Sequence, residues 1–122
     1  MLKSFRELQV WQRSIQLATA VYQFTAGFPR DEAYGLSSQM KRAAVSVASN
    51  IAEGYGRLNV GEYRQFLGIA RGSALELQTQ FEIARRLAIG DEAVLNETEA
   101  LSEQVSKMLY AMIDKLKTVK AN

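Results

Sequence analysis

The sequence predicts an all-α protein that folds as an up-down-up-down antiparallel four-helix bundle. Four segments carry apolar residues at every third or fourth position, which is the period of an α-helix. Short interruptions that contain glycine separate these segments, and the single proline, Pro29, leaves room for long helices. Because short connections place consecutive helices side by side in opposite directions, the four segments predict a bundle of antiparallel neighbours.

The size and composition of the chain are those of one globular domain. The chain has 122 residues, of which 48% are hydrophobic and 23% are charged, and we expect a single domain over 1–122. It contains no cysteine, so disulfides and thiolate metal sites are excluded. The first residues lack the apolar core of a secretory signal, and no apolar run has the length of a membrane span. We therefore expect a cytoplasmic protein.

The first helix is predicted over residues 4–26 and has an unusually wide apolar face. Its first stripe consists of Phe5, Leu8, Trp11, Ile15, Ala18 and Tyr22, and beside it lies a second stripe of Val10, Leu17, Val21 and Phe24. One stripe is enough to face a bundle core. The second stripe therefore indicates either a helix that is deeply buried within one chain or a helix that also contacts another subunit.

The second helix is predicted over residues 32–53, after the break at Pro29. Its apolar stripe runs through Leu36, Met40, Ala43 or Ala44, Val47 and Ile51. Gly54 follows it and is a suitable residue for the left-handed position that ends a helix. Asn50 and Glu53 lie next to the stripe, and we expect them to cap or bridge neighbouring helices.

The third helix is predicted over residues 60–88. Asn59 is predicted to be its N-cap, and Glu62 completes a capping box. Its core-facing stripe consists of Tyr63, Phe66 or Leu67, Ala70, Ala74, Leu77, Phe81, Ala84 and Leu87 or Ala88. Gly68 and Gly72 lie one turn apart within this helix. Since each glycine weakens a helix by about 1 kcal/mol relative to alanine, the pair predicts close packing of another backbone, with tolerated surface glycines as the alternative.

The fourth helix is predicted over residues 92–117, with Asp91 as its N-cap. Its apolar stripe consists of Val94, Thr98, Leu101, Val105, Met108, Met112 and Leu116. Acidic residues are concentrated near its start and lysines near its end. This order matches the helix dipole.

The residue types exclude most catalytic chemistry. The chain has no histidine and no cysteine, which removes the commonest general base, the common nucleophile pairs and every imidazole or thiolate metal site. No phosphate-binding glycine motif and no calcium-binding loop occurs. We therefore expect no enzyme, no cofactor and no metal site; an enzyme would need an unusual site built from Tyr, Arg and Glu side chains.

Basic residues are concentrated in the first three-quarters of the chain. Residues 1–90 have a net charge of +4 and residues 91–122 a net charge of −2. The densest segment, 39–71, contains five cations that we predict to contact nucleic acid: Lys41, Arg42, Arg57, Arg64 and Arg71. Arg64 and Arg71 share one face of the third helix, and clustered cations of this kind suit phosphate. The alternative is that Arg57 and Arg64 pair with Glu53 and Glu62 within the chain.

Several motifs along the chain resemble the four-helix bundle proteins of the 23S rRNA intervening-sequence family. The motifs are Phe5-x-x-Leu8-x-Val10-Trp11, Phe28-Pro29-x-x-Glu32-x-Tyr34-Gly35-Leu36, Gln39-Met-Lys-Arg-Ala-Ala-Val-Ser46, Ser49-Asn-Ile-Ala-Glu-Gly54, Gly56-Arg57 and Phe66-Leu-x-Ile-Ala70-x-Gly-Ser-Ala-x-Glu76-Leu. The family is in turn similar to the accessory variability proteins of diversity-generating retroelements, which work with a reverse transcriptase and nucleic acid.

The resemblance implies an up-down bundle and a ring-shaped homo-oligomer, a pentamer. The family's basic positions correspond to Lys41, Arg42 and Arg57. Three positions depart from the family pattern: Met40 and Lys41 replace an aliphatic residue and an arginine, and Ala48 stands where proline is common.

Two functional hypotheses follow. In the first, a non-enzymatic oligomer binds RNA or DNA through the five cations, by phosphate contacts and without base readout. In the second, the bundle is a protein-interaction scaffold, in which the wide face of the first helix, Gly68 and Gly72 form the oligomer while the arginines contact an acidic protein. Neither hypothesis involves a membrane.

Overall fold

Four long α-helices make up most of the structure, a computed structural model that describes residues 3–32 and 35–118. They are α1 (Gln9–Thr25), α2 (Leu36–Tyr55), α3 (Val60–Arg86) and α4 (Glu92–Leu116), with single 3-10 turns at Phe5–Glu7 and Arg30–Glu32. The predicted all-α bundle is confirmed. No helix in the described ranges is both long enough and apolar enough to cross a membrane.

The helices pack in a square around one apolar core. Helix α1 packs on α2, α2 on α3, α3 on α4, and α4 closes the square on α1, so that α1 and α3 lie on a diagonal. The largest fully buried side chains are Phe24, Phe81, Leu17, Met40, Ile51, Leu67, Leu77 and Leu109. Close packing of these side chains between all four helices stabilises the bundle.

Side-chain caps fix the start of α3 and α4 where the sequence predicted them. The Asn59 side chain accepts a hydrogen bond from the backbone N–H of Glu62 at 2.8 Å, and its Nδ2 donates to the Glu62 carboxylate at 2.6 Å. The Asp91 carboxylate accepts from the backbone N–H of Val94 at 3.0 Å. Each cap satisfies a backbone donor that has no partner in the first turn of a helix.

The predicted boundaries of α2 were wrong at both ends. Residues 30–32 form a separate 3-10 turn and α2 begins at Leu36, while Ala33 and Tyr34 lie outside the described residues. At the other end α2 continues through Gly54 to Tyr55, so Gly54 is not the left-handed end of the helix. Gly54 is buried, and a Cβ placed on it would lie 2.7 Å from the Cβ of Phe66. Glycine is needed there because α3 approaches α2 closely.

The two apolar stripes of α1 have different environments. The second stripe faces the core: Val10, Leu17, Val21 and Phe24 are all buried. In the first stripe, Ile15 and Tyr22 are exposed, while Trp11 and Ala18 are only partly buried. The width of the apolar face therefore does not arise from deep burial of α1 within one chain.

Gly68 and Gly72 of α3 have no close neighbour among the described residues. A Cβ added to Gly68 or Gly72 would meet no atom within 4 Å. Within the chain, the prediction that another backbone packs against this pair was wrong, and both glycines face outward from the bundle.

Candidate nucleic-acid interface

The five predicted cations do not form one cluster within a single chain. Lys41 and Arg42 lie in the first half of α2, whereas Arg57 lies in the turn after it. At a rise of about 1.5 Å per residue, Lys41 and Arg57 are separated by roughly 24 Å along the α2 axis. Arg64 and Arg71 follow on α3 and share one of its faces. The structure thus places Arg57 in the turn between α2 and α3, with Arg64 and Arg71 along α3. Lys41 and Arg42 lie toward the start of α2.

Arg57 lies against the ring of Phe66 at the α2–α3 turn. Its guanidinium lies 4.5 Å from the centre of the Phe66 ring, an arrangement that stabilises a cation over the negative face of the ring. Nearby, the rings of Tyr55 and Tyr63 meet edge to face with centroids 6.1 Å apart. Burial raises the pKa of Tyr63, and Tyr55 adds to the increase, so Tyr63 is neutral at ordinary pH.

Arg64 and Arg71 lie half-buried on the side of α3 that faces α4. The Nε atom of each is buried and has no hydrogen-bond partner in the described part of the chain. The Arg71 guanidinium lies 5.2 Å from the ring centre of Tyr110 on α4. A buried donor without a partner costs roughly 1–3 kcal/mol, and because these Nε atoms are buried, an external acceptor such as a phosphate oxygen would have to contact the terminal guanidinium nitrogens.

Lys41 belongs to a different side of the bundle. Its Nζ lies 5.3 Å from the ring centre of Tyr22 on α1. Arg42, the next residue, is exposed on the outer side of α2. Lys41 therefore lies at the contact between α1 and α2, and Arg42 lies on the outer side of α2.

Ion pairs are concentrated at the far end of α3. Arg85 pairs with Glu82 at 2.9 Å and with Glu99 of α4, and Arg86 pairs with Glu82 at 2.9 Å. Hydrogen bonds from Arg86 and then Arg85 lower the pKa of Glu82. These three pairs are the ion pairs of residues 3–32 and 35–118, so none of the five predicted cations is neutralised there by a carboxylate.

The alternative that Arg57 and Arg64 pair with Glu53 and Glu62 is therefore not observed. The Glu62 carboxylate instead accepts a hydrogen bond from Asn59. Phosphate binding would thus not need to break an existing ion pair of Arg57 or Arg64.

A shallow depression beside Arg71 was not anticipated from the sequence. It has a volume of about 330 Å³ and is lined by Arg71, Ser106, Lys107 and Tyr110. We call these four residues the α3–α4 groove. Lys107 and Tyr110 lie three residues apart, which places them on one flank of α4. The sequence carries no signal for the alignment that brings this flank opposite Arg71.

The polar residues between α2 and α3 have a structural role. The Asn50 Nδ2 donates to the backbone oxygen of Ser46 at 2.8 Å, and the Ser46 hydroxyl lies 2.8 Å from the hydroxyl of Ser73 on α3. The hydrogen bonds of Asn50 go to the backbone oxygen and the hydroxyl of Ser46 within α2, so it is Ser46, and not Asn50, that bridges α2 to α3. The described residues contain no group of three or more acidic side chains arranged to hold a metal ion.

A solved structure has the same fold. It is the crystal structure of a protein with unknown function from the S23 ribosomal protein family from Bacteroides thetaiotaomicron, with a TM-score of 0.79, 20% sequence identity, and coverage of 86% of this chain and 95% of that chain. At this identity the similarity shows the fold alone. No curated protein matches the chain at the significance required.

The family is shown by the sequence itself. The profile of the 23S rRNA-intervening sequence protein family matches residues 6–111, a range that covers all of α1, α2 and α3 and most of α4. The chain therefore belongs to the family of 23S rRNA-intervening sequence proteins.

Proposed function

We propose that the protein is a non-enzymatic oligomer that binds RNA or DNA through contacts to the phosphate backbone. The observation that carries the proposal is that the five predicted cations have no carboxylate partner among the described residues, whereas Arg85 and Arg86 do. Unpaired arginines and lysines bind phosphate and release its counterions, which makes the affinity depend on salt.

Arg57, Arg64 and Arg71 would make the principal contacts. Arginine presents a planar fork of donors that matches two phosphate oxygens. The ring of Phe66 orients Arg57 and the ring of Tyr110 orients Arg71, which reduces the side-chain entropy that is lost on binding. Lys41 and Arg42 form a second basic region, which an oligomer would repeat around its axis.

Two exposed apolar surfaces support self-association. The first, the α1–α2 apolar surface, consists of Ile15, Tyr22 and Val45, which are between 40% and 49% exposed. The second, the α3 outer face, consists of Gly68, Ile69, Gly72 and Leu75; its glycines leave open space for a neighbouring backbone. Neighbouring exposed apolar side chains of this kind are typical of protein–protein contacts.

The positions of the two surfaces favour a ring. The α1–α2 apolar surface and the α3 outer face lie on different helices, and α1 is diagonal to α3 in the bundle. A contact between two different surfaces is head-to-tail, and such contacts close into a ring when the rotation permits it. The family resemblance implies five subunits for that ring.

The test is fluorescence anisotropy with labelled single- and double-stranded RNA and DNA across a salt series, with the mass in solution measured by light scattering. We expect an oligomer whose affinity falls steeply with salt, and we expect Arg57→Ala with Arg64→Ala to remove most of the binding. Binding that does not depend on salt, or that survives this double substitution, would show that the phosphate proposal is wrong.

The alternative is a protein-interaction scaffold, and the same exposed apolar surfaces favour it. In that case the unpaired arginines would contact acidic side chains of a partner protein. Absence of nucleic-acid binding at low salt, together with recovery of a nuclease-resistant protein complex, would favour the scaffold. Loss of the complex after nuclease treatment would favour nucleic acid.

A further inference from the structure

The α3–α4 groove combines an aromatic ring with two cations and a hydroxyl. Tyr110 is 58% exposed, and the Arg71 guanidinium lies over one face of its ring at 5.2 Å, so the rest of the ring is open to solvent. Lys107 is exposed one turn away on the same side of α4, and Ser106 is a buried member of the lining. The groove therefore offers a stacking surface and charged donors within a single depression.

The charges of the groove are not neutralised from within the chain. Lys107 and Arg71 form no ion pair with any carboxylate of the described residues, although Glu103 and Asp114 are also on α4. The Nε of Arg71 is buried without a hydrogen-bond partner in the same part of the chain. An anionic ligand with several acceptor oxygens could bind the Lys107 ammonium and the terminal guanidinium nitrogens of Arg71, although it would not reach the buried Nε.

We propose that the α3–α4 groove binds one unpaired nucleotide of a single-stranded nucleic acid. This proposal rests on the proposed function and specifies the form of nucleic acid that is bound. The base stacks on the open part of the Tyr110 ring. A neighbouring phosphate accepts hydrogen bonds from Arg71 and Lys107. The volume of about 330 Å³ is near the lower end of small-molecule sites, so the groove accommodates a single nucleotide.

The geometry favours a single strand over a duplex. Stacking on Tyr110 requires a base whose face is free, and in a duplex both faces of each internal base are covered by neighbouring base pairs. Because every base has an aromatic face, the groove would recognise an unpaired base without selecting its sequence.

The experiment compares three labelled probes by fluorescence anisotropy: a short oligothymidylate, an abasic deoxyribose-phosphate strand of the same length, and a duplex that contains the oligothymidylate. Tyr110→Ala is expected to weaken binding of the oligothymidylate roughly fivefold or more, the range found for loss of one stacked base. It should weaken binding of the abasic strand much less, by no more than the ring contributes to orienting Arg71. Tyr110→Phe, which keeps the ring, should retain the affinity of the native protein.

Arg71→Gln is expected to weaken binding of both single strands, because both carry phosphate. Arg13→Gln, which removes the same charge from an exposed position of α1, is the control and should have a smaller effect. Tyr110 is exposed, so its substitution should leave the helical content and the mass in solution unchanged. Both are measured for each variant.

The failures of the two proposals are distinguishable. If the native protein binds the oligothymidylate but Tyr110→Ala binds it equally well, or if the duplex binds as tightly as the single strand, the nucleotide site is overturned and the phosphate-binding proposal stands. If the native protein binds none of the three probes at low salt, the phosphate-binding proposal fails, and the nucleotide site fails with it.

Discussion

A cation–tyrosine pair lies at the edge of the α1–α2 apolar surface and another lies in the α3–α4 groove, and the two pairs have different surroundings. In each, a cation of one helix lies over a tyrosine ring of its neighbour: Lys41 over Tyr22 at 5.3 Å and Arg71 over Tyr110 at 5.2 Å. The α1–α2 apolar surface also includes Ile15 and Val45, whereas the groove also includes one further cation, Lys107, and the hydroxyl of Ser106. A cation–ring pair alone therefore does not indicate a function. The residues that surround the pair indicate one.

The two cations also differ chemically. Lysine is a compact charge on a long apolar stem, and the stem of Lys41 can extend over apolar surface while its ammonium stays in water. Arginine is a rigid fork of donors that suits phosphate. The first surface is consequently suited to contact another copy of the chain, and the second is suited to bind an anionic ligand.

The largest expected effect is on assembly. Ile15→Arg with Val45→Arg places two charges on the α1–α2 apolar surface, which would be desolvated in a subunit contact. Full burial of an aliphatic side chain contributes about 1.5–3 kcal/mol, and a subunit contact could bury only the exposed 40% of Ile15 and 44% of Val45. Loss of both should therefore raise the dissociation constant of the oligomer roughly tenfold or more. Light scattering or sedimentation should then show a folded monomer.

The matched control for that change is Gln16→Arg, at an exposed polar position of the same helix. It should leave the oligomer intact. If the double variant keeps the oligomeric mass of the native protein, the α1–α2 apolar surface is not a subunit contact.

The second expected effect is on the salt dependence of binding. Arg64→Gln with Arg71→Gln removes two phosphate contacts, each of which contributes about 0.7 to the slope of log affinity against log salt for a single strand. We expect the slope to fall by about 1.4 and the mass in solution to stay unchanged. Arg13→Gln with Arg30→Gln removes the same charge from exposed positions and is the control. An equal loss of slope in the control would mean that net charge, and not this face of α3, determines binding.

Much of the fold was predictable because it depends on local sequence. The N-caps at Asn59 and Asp91 act within their own first turn, so the starts of α3 and α4 were predicted correctly. The role of Gly54 was not predictable, because the reason for glycine there is the approach of Phe66 from another helix. Likewise, periodicity showed that α1 has two apolar stripes, and only packing decides that Leu17 and Phe24 face the core.

The candidate site was likewise predictable only in those features that depend on the repeat of a single helix. Arg64 and Arg71 share a face because they are seven residues apart, which follows from the helical repeat alone. That Tyr110 and Lys107 lie opposite Arg71 depends on how α4 is aligned along α3, as reflected by the contact of the Ser102 hydroxyl with the backbone oxygen of Ala74 at 3.4 Å. Such an alignment results from core packing, which the pattern of a single helix does not contain.

A smaller effect is expected at the glycines of the α3 outer face. In the monomeric Ile15→Arg, Val45→Arg background, Gly68→Ala and Gly72→Ala should each raise the free energy of unfolding by about 0.5–1 kcal/mol, because alanine is the better helix former and each site is open. In the native background the same substitutions should weaken assembly, since the methyl groups would meet a neighbouring subunit. Urea unfolding and the mass in solution measure the two effects. Stabilisation without any loss of assembly would show that no backbone packs on these glycines.

The smallest expected effect concerns the ion pairs at the other end of the α3–α4 contact, where the arginines are already neutralised. Hydrogen bonds from Arg86 and Arg85 hold the pKa of Glu82 below its ordinary value of 4.5. A carboxyl whose pKa is lower in the folded state stabilises the fold above its unfolded pKa, and this contribution is lost as the pH falls through the folded pKa. Glu82→Gln should therefore unfold slightly more readily than the native protein at neutral pH, and the difference should disappear in acid, as measured by urea unfolding.

Because Glu82 is distant from Arg64 and Arg71 along α3, the substitution should leave oligothymidylate binding unchanged. A stability difference that persists in acid would mean that Glu82 acts through packing of α3 rather than through its charge.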